Sequence, residues 1–133
     1  MKIRSGFVSN SSSSSFIVAF DQEPTREYLK KVLYGNQETI QYEYGDEFFN
    51  VDDLVDHIMN NLCEVNPFDL LIERVRHKKW GNDDETDEMV DFYMKHQKFI
   101  YECEFADENG RVECQLEHGG TFNAVDHKRF SHH

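Results

Sequence analysis

Phe99-Ile100-Tyr101-Glu102-Cys103-Glu104-Phe105-Ala106-Asp107-Glu108-Asn109-Gly110-Arg111-Val112-Glu113-Cys114-Gln115-Leu116 is the stretch that decides the fold class. Two runs of alternating apolar and polar residues flank Asn109-Gly110. Asn-Gly in that setting is the strongest short-range signal for a β-hairpin. The pattern predicts strands over 99–105 and 111–116. Tyr101, Cys103 and Phe105 share one apolar face with Val112, Cys114 and Leu116, while Glu102, Glu104, Glu113 and Glu117 face water.

Upstream, Phe16-Ile17-Val18-Ala19-Phe20 reads as a buried strand by length and β-propensity. Thr39 to Tyr44 alternates at period two, and Glu47-Phe48-Phe49 suits a short return. Between these runs the apolar residues recur at helical spacing. Helices are predicted over 24–34, opened by Pro24 and stopped by Gly35; over 52–63, with Leu54, Val55 and Ile58 on one stripe; over 67–79; and over 84–96. Acids crowd the start of the last one, where the helix dipole favours them. The tail after Gly119-Gly120 shows no periodicity. The sum is an α+β fold: a small, mainly antiparallel sheet of strand 16–20 and the hairpin 99–105/111–116, covered on one face by about four helices.

With 133 residues the chain suits one domain, 1–133, without internal repeat or linker. It carries 14 Lys plus Arg against 26 Asp plus Glu, a formal net charge of −12. That balance disfavours direct nucleic-acid binding and adhesion to anionic membranes, because both reward a basic surface. No run approaches the ~20 apolar residues of a membrane span, and the opening segment lacks a signal peptide's apolar stretch. The cytoplasm is therefore the expected compartment. Three cysteines, Cys63, Cys103 and Cys114, offer neither CxxC spacing nor an even count. They read as small buried hydrophobes with intact thiols, and Cys63 is placed at the end of a helix.

Two constellations carry chemistry. Arg4, Ser9, Asn10 and the serines Ser11, Ser12 and Ser13 could converge on an anion, through hydroxyls, backbone N–H groups and a guanidinium. No Walker pattern is present, and the same residues also suit a polar lead-in to a strand or a modified segment. The second constellation comprises His118, His127, His132 and His133, with Glu117 adjoining the first. Imidazole is a common metal ligand, yet no established ligand spacing occurs, so no metal or other cofactor is expected. His118 equally suits a cap on the apolar face. The Arg4–Phe16 and Glu117–His133 segments are expected to lie side by side and form the functional surface. G-x-S-x-G is absent, and no reaction class is selected.

Arg4-Ser5-Gly6-Phe7-Val8-Ser9-Asn10 followed by Ser11 to Ser15 and Phe16 resembles the opening of a group of small, uncharacterised bacteriophage and bacterial proteins. Glu117-His118-Gly119 and the ending Ser131-His132-His133 resemble the close of some of them. The resemblance implies a phage or prophage source and an intracellular role in the host cytoplasm. It brings no activity with it. The expected function is that of a small acidic accessory protein binding a host or phage protein. Two alternatives stand beside it: an enzyme or a ligand- or metal-binding protein using the serine loop and the C-terminal histidines, and a DNA mimic that inhibits a nucleic-acid enzyme.

Overall fold

The computed structural model describes residues 2–4, 13–66, 68–69, 72, 84–96 and 99–131. In chain order these form β1 (Lys2–Arg4), β2 (Ser13–Phe20), α1 (Arg26–Tyr34), β3 (Thr39–Gln41), β4 (Phe48–Asn50), α2 (Val51–Asn61), β5 (Cys63–Val65), α3 (Asp84–His96), β6 (Phe99–Ala106), a 3-10 turn (Asp107–Asn109), α4 (Arg111–His118) and β7 (Asp126–Ser131). A five-stranded sheet runs β1-β5-β6-β2-β7, and β3 pairs with β4 in a separate two-stranded ribbon. Every pairing in the main sheet is antiparallel except β1 with β5. The fold is α+β, as the pattern of elements implies.

Local chemistry sets the helix ends. The Thr25 hydroxyl accepts from the N–H of Tyr28 at 3.1 Å and caps α1. Gly35, at φ +58°, closes that helix in the left-handed conformation that favours glycine. The Asn50 side chain accepts from the N–H of Asp52 at 2.9 Å and caps α2, with Asp52 and Asp53 in its first turn. Asn66 accepts from the N–H of Phe68 at 2.9 Å. Most of the helix expected over 67–79 lies outside the described residues.

Alternation along β2 splits the core in two. Phe16, Val18 and Phe20 pack with Tyr101, Cys103 and Phe105 of β6 under α1, α2, α4 and Phe122. Ile17 faces the other way, with Ile100, Val65 and Phe130 under Met89, Val90 and Phe92 of α3. Helices therefore cover both faces, not one. Each fully buried Phe or Leu contributes about 1.5–3 kcal/mol. Tilted aromatic pairs, Phe16–Phe122 at 5.1 Å and Phe20–Tyr101 at 5.9 Å between centroids, lock the first layer.

The expected strand over 111–116 is a helix. Two causes act together. β6 is already paired with β5 on one side and β2 on the other, so no edge remains for a returning strand. The segment also has a second periodicity: Val112 and Leu116 are four apart, among residues of good helix propensity. The chain leaves β6 through the 3-10 turn and Gly110, at φ +119° and ψ 178°. Glu113 ties the new helix back, accepting from the N–H of Ala106 at 3.0 Å and from Asn109 Nδ2 at 3.2 Å.

Other expectations shift accordingly. Glu102 and Glu117 are buried rather than solvated, since Glu102 lies on the α3 side of the central strand and Glu117 on the inner side of α4. Cys63 opens β5 instead of ending α2. Cys114 rides on α4 rather than on a strand, and it and Cys63 are half-buried where Cys103 is buried; none of the three cysteines forms a disulfide. The tail supplies β7, a mostly polar edge strand with Phe130 buried.

Candidate functional site

The serine run enters the sheet and is divided by the pleat. Ser13, Ser14 and Ser15 are fully buried at the start of β2. Buried hydroxyls need partners, and charged ones are the strongest. Ser14 Oγ accepts from Nε and Nη2 of Arg129 at 3.1 and 3.0 Å. Ser15, on the opposite face, donates to Glu104 Oε2 at 3.1 Å. Register explains the first contact: Phe16 of β2 lies opposite Arg129 of β7, so Ser14 is the next residue on the same face. The Arg129 guanidinium also sits 5.8 Å from the Phe16 ring centroid.

From Arg129 the contacts run to the end of α4. Its Nη2 lies 3.4 Å from Nδ1 of His118. A guanidinium only donates, so Nδ1 is the acceptor and the ring proton sits on Nε2. That nitrogen is 2.6 Å from Oε1 of Glu117 and 3.5 Å from Oδ2 of Asp107. The Glu117 side chain is fully buried, His118 is 21% exposed and Asp107 42%. Tyr44, in the loop between β3 and β4, stands edge-on to the imidazole, with centroids 5.8 Å apart. Six side chains from five segments thus meet where β2, β7 and α4 end: Ser14, Tyr44, Asp107, Glu117, His118 and Arg129.

The sequence reading named Glu117 and His118 of this group, included Ser14 in the serine segment expected beside the tail, and did not single out Tyr44, Asp107 or Arg129. Tyr44 ends the alternating run read as a strand, Asp107 opens a segment read as a turn, and Arg129 lies in a tail without periodicity, so no local pattern marks them as site residues. Of the serine segment, Ser13 lies in β2, while Ser9, Asn10, Ser11 and Ser12 lie outside the described residues. The backbone of Arg4 belongs to β1, three strand spacings from β2, about 14 Å away. The two chain ends do run together in part, since Ser14 and Ser15 lie opposite Ser131 and Phe130.

The other histidines go elsewhere. His127 Nδ1 lies 2.9 Å from the carbonyl of Val125, and its ring faces Phe122. His57 Nε2 is 3.2 Å from Glu113 Oε2, bracing α2 against α4. His132 and His133 lie outside the described residues. Two surface hollows flank α1, and neither is lined by a residue of the cluster. Among the described residues no helix is long and apolar enough to cross a membrane. No family model, curated protein or solved structure matches this chain.

Proposed function

We propose that the chain is a small acidic accessory protein that binds a protein partner through the Tyr44–Asp107–His118–Arg129 surface. One observation carries this reading: an exposed tyrosine and an exposed arginine are held against buried anchors. Tyr44 rests on His118, which rests on buried Glu117; Arg129 rests on buried Ser14. Tyrosine and arginine dominate protein interfaces, and pre-ordering them lowers the entropic cost of association. The net charge of −12 favours a partner with a basic patch. The likeness of the opening residues to phage and bacterial proteins supports a phage source and a place in the host cytoplasm.

The test is capture from bacterial lysate on the immobilised chain, followed by affinity measurement with the purified partner. Tyr44→Ala and Arg129→Ala should each weaken binding about tenfold or more, which is about 1.4 kcal/mol. Tyr44→Ala should leave thermal unfolding unchanged, because that ring is exposed. A chain that holds no protein, or holds one equally well with both substitutions, refutes the reading.

A further inference from the structure

The geometry points to a divalent-cation site formed by Asp107 Oδ2, Glu117 Oε1 and His118 Nε2, suited to zinc or manganese rather than magnesium or calcium. The three donor atoms lie within 4.8 Å of one another. An ion about 2.0–2.2 Å from each ligand sets neighbouring ligands about 3.0–3.5 Å apart. The 3.5 Å between Nε2 and Oδ2 already fits that spacing. The 2.6 Å between Nε2 and Oε1 is a hydrogen-bond distance, and it must open by about half an ångström when an ion replaces the proton.

Charge supports the same conclusion. Two carboxylates converge on one imidazole nitrogen, and a divalent ion balances both. Glu117 is buried, so its negative charge is poorly screened by water. Asp107 and His118 are partly exposed and leave the remaining coordination positions open to solvent. The nitrogen donor sets the preference: imidazole with carboxylates suits borderline transition ions, whereas magnesium and calcium take oxygen donors.

Arg129 gives the site a distinctive signature. Ligation through Nε2 requires the ring proton to move to Nδ1. Arg129 Nη2, 3.4 Å away, then faces another donor and keeps its hydrogen bond to Ser14. Its positive charge also opposes the incoming ion. Arg129 therefore holds the site against loading, and its removal favours metal.

Calorimetric titration of the full chain with zinc chloride tests this without any partner, so its outcome is separable from that of the binding surface. One zinc per chain is expected, with no heat from magnesium chloride. Asp107→Asn and His118→Ala should each weaken zinc binding about tenfold or more. Asp107→Asn keeps shape at a partly exposed position and carries the test should His118→Ala fail to fold. Arg129→Gln should tighten binding severalfold, and a His132→Ala/His133→Ala double variant should bind as the parent does. Absence of zinc binding at millimolar concentration overturns the proposal. So does binding that is unchanged by Asp107→Asn, weakened by Arg129→Gln or lost with the two tail histidines.

Discussion

Tyr34 shows how one buried polar group links the fold to pH. It closes α1 inside the first core layer, with its ring almost wholly covered. Burial pushes its phenol well above the ordinary tyrosine value, and the hydrogen bond with Thr121 offsets only part of that. Burial likewise raises Tyr101, with Glu64 and Glu23 adding to the effect. At Tyr42 the hydrogen bond with Cys114 is the main cause of a rise. A phenol whose folded pKa exceeds its unfolded value stabilises the fold fully below the unfolded pKa. That contribution is lost as pH climbs from about 10 toward the folded value. Urea unfolding at stepped pH should therefore show stability falling above about pH 10, and Tyr34→Phe should make that fall shallower. An identical alkaline slope in the variant would contradict the assignment. Serines obey the same logic of compensated burial. Ser14 and Ser15 are as buried as the phenylalanine that follows because Arg129 and Glu104 meet them. Nothing in a run of five serines announces those partners.

At the scale of elements, the segment from Asp107 to His118 is the instructive one. Its sequence supports two periodicities, and the choice between them is made at Gly110. With φ +119° and ψ 178° that residue occupies backbone space open essentially to glycine. Nothing lies within 4 Å of a Cβ placed there, so the cost of a substitution is conformational rather than steric. Gly110→Ala should destabilise the protein by about 1–3 kcal/mol in denaturant titration. Chemical shifts of Cα across residues 111–118 should read as helix in the parent. Strand-like shifts there, or a neutral Gly110→Ala, would restore the hairpin and remove His118 from Asp107. The helices over 24–34, 52–63 and 84–96 were legible because their apolar residues recur at helical spacing, and the first ends at Gly35. The observed bounds, Arg26–Tyr34, Val51–Asn61 and Asp84–His96, differ from them by two residues or fewer at each end.

For the whole molecule, stability should be distributed by position in the sheet. β2 and β6 occupy its middle, carry residues of both core layers and have neighbours on each side. The β3–β4 ribbon is short and partly exposed at Phe48. Native-state hydrogen exchange should therefore find the slowest amides in Ile17, Val18, Tyr101 and Cys103, and far faster exchange in residues 39–50. Protection of the ribbon equal to that of β2 would show that the core has been drawn wrongly.

The amino-acid sequence by itself determined the class of fold, the central strands, three helices with the glycine stop of the first, and the absence of a long apolar span among the residues described. These depend on spacing along the chain, and hydrophobic periodicity and capping are local. Only the tertiary structure decided that 111–118 coils, that both sheet faces are covered, and that Glu102 and Glu117 are buried. Those outcomes depend on which edge of β6 is vacant, and strands distant in sequence fill both. The cluster itself belongs to the same category. Ser14 and Arg129 are 115 residues apart, and they meet because β2 and β7 pair in one register. A one-residue slip in that register would turn Arg129 to the other face and dissolve the site.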